Sequence, residues 1–290
     1  MAIRGIFLLI FLFNMRFLLI LLMLFMMSVR TIVAQEYSLI DTVRQIMYYD
    51  YHFNVTAGEC ESIRLQQMQL EIGDKCSRFC SSNVAYRDSL LILYQHLPTN
   101  EAFGKILPMV MGITTHKYAS YHLLKNYPND REISVFNCFS KINYQSEEKI
   151  DFNWQIHPER DTIIIDLRCL MATTSYGGRD YVAWFAPDVP ISDGPYKFCG
   201  LPGIIVRIAD TENEHIFELQ GAHYDVNQPM YKDKLTRQRV TPKDFVRAFY
   251  DDNASIAKRF GEFVVETSDP NAVARIEQQS KQVNNYIERY

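Results

Sequence analysis

The chain has 290 residues, 48% hydrophobic and 13% aromatic, with 30 Lys and Arg against 34 Asp and Glu for a formal charge of −4. This is ample apolar material for a packed core, which excludes a largely disordered chain, and the slightly acidic balance offers no electrostatic footprint for nucleic acid. The length fits one large domain or two modest ones.

Residues 5–27 are almost wholly apolar but are interrupted by Asn14 and Arg16. A spanning helix needs about 20 consecutive apolar residues. The run from Met15-Arg16 through the apolar Phe17–Met27 to the small Ala34 therefore reads as a secretion signal, cleaved before Gln35. An uncleaved anchor is the alternative, and translation from Met15 suits the signal as well as translation from Met1. Cleavage removes Arg4, Arg16 and Arg30 and leaves 27 basic against 34 acidic residues, a formal charge of −7. No cysteine stands near the cleavage point, so lipid attachment is not expected. The division expected is 1–34 signal peptide, 35–265 a single β-rich domain and 266–290 a C-terminal helical tail, with no stable membrane span after cleavage.

An exported chain meets an oxidising compartment. Cys60, Cys76, Cys80, Cys138, Cys169 and Cys199 are accordingly expected to be structural bridges or buried thiols. There is no Cys-x-x-Cys for redox chemistry, and Cys76-x-x-x-Cys80 has no second half for zinc.

Ile46 to Val55 and Ile63 to Ile72 are β-like and make a hairpin through Ala57-Gly58. Val84 to Leu97 has helical spacing and is stopped by Pro98. Between residues 99 and 128 the pattern gives a short helix over Ala102–Met111 and a strand over Tyr118–Tyr127. Arg131 to Phe139 reads as a strand, Asn143 to Lys149 as a polar turn region, and Asp151 to Ile156 as extended chain. Thr162 to Ala172 alternates cleanly, placing Ile163, Ile165, Leu167, Cys169 and Met171 on a core face and Asp166 and Arg168 on the other. It pairs with Tyr181–Ala186 across Gly177-Gly178, and Gly203–Ala209 pairs with Ile216–Gln220. Thr241-Pro242-Lys243-Asp244 is a helix start, leading into an apolar face of Phe245, Val246, Phe249 and Tyr250. A second helical segment spans about 255–265. A third begins at Asp269-Pro270 and carries a thin apolar stripe at Val273, Ile276, Val283 and Ile287, loosely attached.

The chain is organised around Tyr181 to Asp210, where four prolines and three glycines lie between two apolar runs. Pro187 and Pro190 hold their predecessors extended, and Asp193-Gly194-Pro195 is turn chemistry. Pro202 and Gly203 suit the centre of a type II turn from Leu201 to Ile204, with Gly203 at positive φ. Glycine and proline bring backbone shape and no reactive group, so Gly194, Pro195, Gly200, Leu201, Pro202 and Gly203 are expected to act as a structural turn. Trp184 and Phe198 lie beside it as aromatic surface for the core or for a partner.

The run Gly194-Pro195…Phe198…Gly200-Leu201-Pro202-Gly203-Ile204-Ile205 resembles the signature of the GLPGLI family of Bacteroidetes cell-envelope proteins, with Ile204 in place of leucine. Gly178-Arg179-Asp180-Tyr181, Ala183-Trp184-Phe185 and Pro190 fit the same pattern, as do Leu70-Glu71-Ile72-Gly73 and Ser77-Arg78-Phe79, over residues 45 to 225. The resemblance implies an exported protein, periplasmic or at the outer membrane, of no assigned biochemical activity.

Side-chain chemistry is sparse. His52, His96, His116, His122, His157, His215 and His223 show no metalloprotease spacing, although His215 and His223 flank one strand. Asp166, Arg168, Asp180 and Asp188 surround the central strands as a solvated face or as paired carboxylates. No catalytic residue, metal or cofactor is assigned. The fold expected is α+β, a curved, mostly antiparallel sheet with a few packed helices, the last ones C-terminal. The function expected is a non-catalytic binding or assembly module whose partner is an envelope or outer-membrane protein, with no nucleic acid. A carrier of an apolar ligand and a hydrolase using Asp or Glu with His are the alternatives.

Overall fold

The computed structural model describes residues 36–58, 63–252 and 283–290. Its spine is β1 (Tyr37–Asn54), whose aromatic and β-branched residues suit a long pleated strand. On one edge the chain meanders away through β2 (Ile63–Gly73), β3 (Ser77–Ser81), β4 (His122–Lys125), β5 (Glu132–Phe139) and β6 (Ile142–Lys149), each antiparallel to the last. On the other edge β1 pairs β11 (His215–His223), followed outward by β10 (Ile204–Asp210), β9 (Arg179–Ala186), β8 (Leu167–Tyr176) and β7 (Gln155–Ile164). β12 (Gln228–Asp233) runs antiparallel to the first half of β1, and β13 (Gln238–Val240) is parallel to β6. The result is the α+β architecture expected, one large, curved, antiparallel-dominated sheet with the last helix C-terminal.

Alternation sorts the sheet into two faces. Met68, Leu70, Phe79, Leu123 and Val135 point to the main core, which also takes Phe217, Ile205 and Phe249. On the back face Leu124 and Phe136 meet Val43, Ile46 and Met230 in a smaller cluster. Helix α1 (Ser82–Tyr94), N-capped by the Ser81 hydroxyl, which accepts from Val84 N at 3.1 Å, covers β2 and β3. Helix α2 (Thr99–Val110) and a 3-10 turn (Lys117–Ala119) follow.

Helical residues 242–252 begin as expected, since Thr241 Oγ1 accepts from Asp244 N at 3.2 Å and donates to Asp244 Oδ2 at 2.7 Å. Phe245, Val246 and Phe249 are buried. The β1–β2, β8–β9 and β10–β11 hairpins form, the second with Gly177 and Gly178 at φ +54° and +75°.

Four expectations are corrected. Thr162–Ala172 is two strands, because Ile165 and Asp166 take φ of +43° and +63° and reverse the chain between β7 and β8. Ile163 and Ile165 are 74% and 47% exposed, and the core begins at Cys169 and Met171. An alternating pattern carries on unbroken across a two-residue turn, which hides the reversal. Asn143–Lys149 lies within strand β6, its polar side chains ranging from the buried Ser146 to the exposed Glu147 and Lys149. Tyr118–Tyr127 shortens to β4, after the 3-10 turn. Residues 283–290 contain no helix and are firmly packed, with Tyr286 and Ile287 at 3% and 2% exposure. The signal segment, Cys60, the helical segment over 255–265 and the start of the third helix lie outside the described residues.

Candidate functional site

The motif loop joins β9 to β10 within the main core. Leu201, Phe198 and Tyr196 are fully buried, and Pro195 and Gly194 are buried beside them. Pro202 and Gly200 are exposed, and Trp184 is half-buried on the outer side of β9. Gly203 has no positive φ, so the type II turn is corrected; the left-handed glycine is Gly200, at +93°. Gly203 is required for closeness: a Cβ there would lie 2.6 Å from Ala186 C and 2.9 Å from Pro187 Cα, and would overlap Ala186 O. Gly194 is held likewise, since its Cβ would sit 2.8 Å from Ile205 Cβ.

A residue outside the motif fixes the loop. Lys125, buried on β4, pairs with Asp193, donates to Gly194 O at 2.6 Å, and lies 3.4 Å from Phe198 O. Ser77 Oγ donates to the other Asp193 oxygen at 2.6 Å. Phe198 packs edge-on to Tyr181 with centroids 4.6 Å apart, and Trp154 Nε1 donates to Cys199 O at 2.8 Å.

The segment 283–290 closes the same face with charge. Arg179, on β9, reaches Asp210 at 2.6 Å, Glu214 at 3.0 Å, the Asn285 side chain and Tyr286 O. Lys197 pairs with Glu148 and Glu288, and the Lys197 charge holds Glu288 below the usual carboxylate range against the effect of its burial. Asp210, Glu212 and Glu214 come together as a trio with the spacing of metal ligands. Arg179 and Arg289 already occupy it as counter-charges.

A cleft of about 290 Å³ opens on the back face. Its floor is β3, β4 and β5, one wall is α1, and the other is Tyr37 of β1 with the segment from Tyr231 to Arg237. His122 Nε2 donates to Asp88 Oδ2 at 2.7 Å, and Arg78 lies 3.7 Å from the same oxygen. Burial alone would raise the Asp88 carboxyl, but the charges of His122, Arg78 and Arg87 lower it below its ordinary value. Arg78 is itself fixed by Glu71, through contacts of 2.8 and 2.9 Å. Burial and the charges of Asp88 and Asp233 raise the Tyr37 hydroxyl well above its usual value.

The remaining predicted residues are dispersed. His215 and His223 stand at opposite ends of β11 and do not meet. His215 is fully buried, its Nδ1 2.7 Å from the Tyr51 hydroxyl. Asp166, Asp180 and Asp188 are exposed, and Arg168 pairs with Asp161 at 3.1 Å in solvent. Of the cysteines, Cys76, Cys80, Cys138, Cys169 and Cys199 are free thiols; the first two and Cys169 are buried, as one of the two expectations had it, while Cys199 is half-buried and Cys138 exposed, and no bridge forms among the described residues. Sequence reading missed Lys125, Asp193, Asp88 and the cleft role of His122. Only the motif Ser77-Arg78-Phe79 pointed to that end of the sheet.

Residues 127–207, from the turn between β4 and β5 to the first half of β10, match a family model described as a protein of unknown function, Porph_ging. No curated protein matches the chain. Among solved structures the chain is similar to PNGF-II, at 10% identity and TM-score 0.44 in a P21 crystal form and 9% and 0.45 in a C2 form. Each alignment covers 74% of this chain and 34% of that one, so the chain spans about a third of the length of the structures it matches.

Proposed function

We propose that the protein is an exported, non-catalytic binding module of the GLPGLI type in a Bacteroidetes cell envelope, and that it holds its ligand in the back-face cleft. The export part is supported by the interrupted apolar leader ending at Ala34 and by the motif resemblance. The observation that carries the binding part is the cleft itself, a preformed concavity lined by charged, amide and aromatic side chains from segments as far apart as Tyr37 and Arg237. That lining favours a polar small molecule over the apolar ligand of a carrier. The full-length protein purified from its native envelope is expected to start at Gln35 and to carry a bound mass in native mass spectrometry. Leu91→Trp, which fills the cleft, is expected to lose that mass. A protein still beginning at Met1 or Met15 in membrane material sinks the export reading, and a bound mass that survives Leu91→Trp sinks the cleft.

The hydrolase reading is favoured by one contact, the His122–Asp88 pair, which is the distance a base and its orienting carboxylate need. Against it, Arg78 also holds Asp88, and among the described residues no hydroxyl or thiol is hydrogen-bonded to His122. His122→Asn tests the hydrolase reading, because it abolishes any turnover that depends on the pair; unchanged turnover in that variant sinks it.

A further inference from the structure

Charges around the back-face cleft do not cancel pair for pair. Its lining holds four bases, Arg78, Arg87, Lys232 and Arg237, against two acids, Asp88 and Asp233. Arg78 is taken by Glu71, Arg237 holds Asp233 at 2.6 and 2.7 Å, and Asp88 is engaged by His122. Arg87 and Lys232 remain, with no carboxylate within 4 Å among the described residues. Beside them the Tyr37 hydroxyl is buried and has no hydrogen-bond partner.

Arg87 comes from the α1 wall, and Lys232 of β12 and Tyr37 of β1 come from the wall opposite, so the cavity is flanked on two sides. Lys232 is positioned without being neutralised: its ammonium lies 5.3 Å from the Phe136 ring centre and 5.8 Å from that of Tyr127. Leu91, Leu124 and Phe136 give the same cavity an apolar side. We propose that the cleft binds a small oxyanion, a carboxylate or a phosphate, carried on an apolar or aromatic body, with Arg87 and Lys232 as its counter-charges and the Tyr37 hydroxyl as a hydrogen-bond donor. The assignment rests on the cleft being the ligand site.

Two further observations favour this class. Burial and the charge of Arg237 lower the Lys232 ammonium below its ordinary value, so an anion relieves a like-charge contact already present. A polyanion such as nucleic acid needs a continuous basic surface, whereas here Asp88 and Asp233 interrupt the cations and the chain is acidic overall. A single anionic head on a compact body meets both conditions.

The test is calorimetric titration of the full-length protein with phenyl phosphate, benzoate, inorganic phosphate and the neutral benzyl alcohol. At least one of phenyl phosphate and benzoate is expected to bind, with affinity falling about tenfold in each of Arg87→Gln and Lys232→Gln, falling less in Tyr37→Phe, and weakening at high salt. Phenyl phosphate against benzoate distinguishes the two oxyanions, and inorganic phosphate shows whether the body contributes. Benzyl alcohol bound as tightly as the anions overturns the oxyanion and leaves a ligand-holding cleft standing. No heat from either aromatic anion at millimolar concentration overturns the proposal, as does full affinity in both charge variants. Failure of the cleft as a ligand site reads out separately, in a bound mass retained by Leu91→Trp.

Discussion

Cations stand on both faces of the sheet, and they end differently. On the core face Lys125 reaches Asp193 and two loop carbonyls, Arg179 reaches two carboxylates and the 283–290 segment, and Lys197 reaches Glu148 and Glu288. All three are nearly inaccessible, with side chains 2%, 2% and 3% exposed. On the back face Arg87 and Lys232 border an open cleft and meet no carboxylate. A buried charge is tolerated only when paired and hydrogen-bonded, so the core-face cations serve to fix chain segments against one another. The back-face pair borders the open cleft with no carboxylate in contact and is free to meet something else.

The sharpest way to break that contrast lies at the motif loop, where shape alone is at stake. Gly203 sits against backbone, and the atoms facing a new side chain, Ala186 C and Pro187 Cα, are not flexible ends that can move aside. Gly203→Val is therefore expected to cost more than about 4 kcal/mol, enough to abolish folding. Leu201→Ala, which truncates a fully buried side chain, is expected to cost about 2 to 5 kcal/mol. Denaturant titration checks both, and a Gly203→Val protein as stable as the wild type would remove the close-approach argument.

Next in size is the charge that holds the loop. Lys125→Met leaves the largely buried Asp193 without its cation and is expected to cost about 3 kcal/mol. Adding Asp193→Asn removes the stranded charge, so the double variant is expected to be more stable than Lys125→Met alone. Strictly additive losses in that cycle contradict a coupled pair.

The ease of reading the sequence differed between the faces for physical reasons. Local signals were visible because they act within a few residues: Gly177-Gly178 for the β8–β9 turn, Thr241 for a helix cap, and the prolines and glycines that mark the motif loop. Ile165-Asp166 was invisible as a turn because isoleucine has no preference for positive φ, and the surrounding alternation ran on through it. The site contacts were invisible for another reason. Lys125 meets Gly194 across 69 positions and His122 meets Asp88 across 34, and only the strand order brings them together. Gly203 was singled out for dihedral freedom, whereas the demand the structure shows is the absence of a Cβ against the end of β9.

His215 supplies a smaller, pH-dependent test of the same core. Its burial, and then the charges of Arg179 and Arg289, hold the imidazole well below its ordinary value, so it is neutral in the fold. In the unfolded chain it takes up a proton below about pH 6.5. A depressed folded value means that this contribution is fully present above the unfolded pKa and is lost as pH falls through it, at about 1.4 kcal/mol per pH unit. Glu214 and Glu288, whose folded values are lowered, act in a separate window, starting only below the unfolded carboxylate range. Unfolding free energy is expected to fall between about pH 6.5 and 5.5 in the wild type and to fall less steeply in His215→Gln, where His116, also lowered by burial, keeps its own share. An identical slope in the two proteins would assign the effect elsewhere.

The smallest effect belongs to the back face, and its smallness is the point. A cation that holds the fold together cannot be removed cheaply, because its partner is left uncompensated; a cation with no carboxylate in contact leaves no stranded pair, and Asp88, which feels Arg87 at longer range, keeps His122 and Arg78. Arg87 is exposed and Lys232 half-buried, with neither within 4 Å of a carboxylate among the described residues. Arg87→Gln and Lys232→Gln are therefore each expected to change stability by no more than about 0.5 kcal/mol. For Lys232 the sign favours a slight gain, since burial first and then the Arg237 charge disfavour the ammonium, more than Asp233 and Glu147 favour it, and its removal relieves that cost. The lost ring contacts to Phe136 and Tyr127 oppose it by about the same amount. Denaturation midpoints of the two variants beside Lys125→Met give the comparison directly. If Lys232→Gln were as damaging as Lys125→Met, the back-face cations would be structural like those of the core, and the cleft would have no charge to offer a ligand.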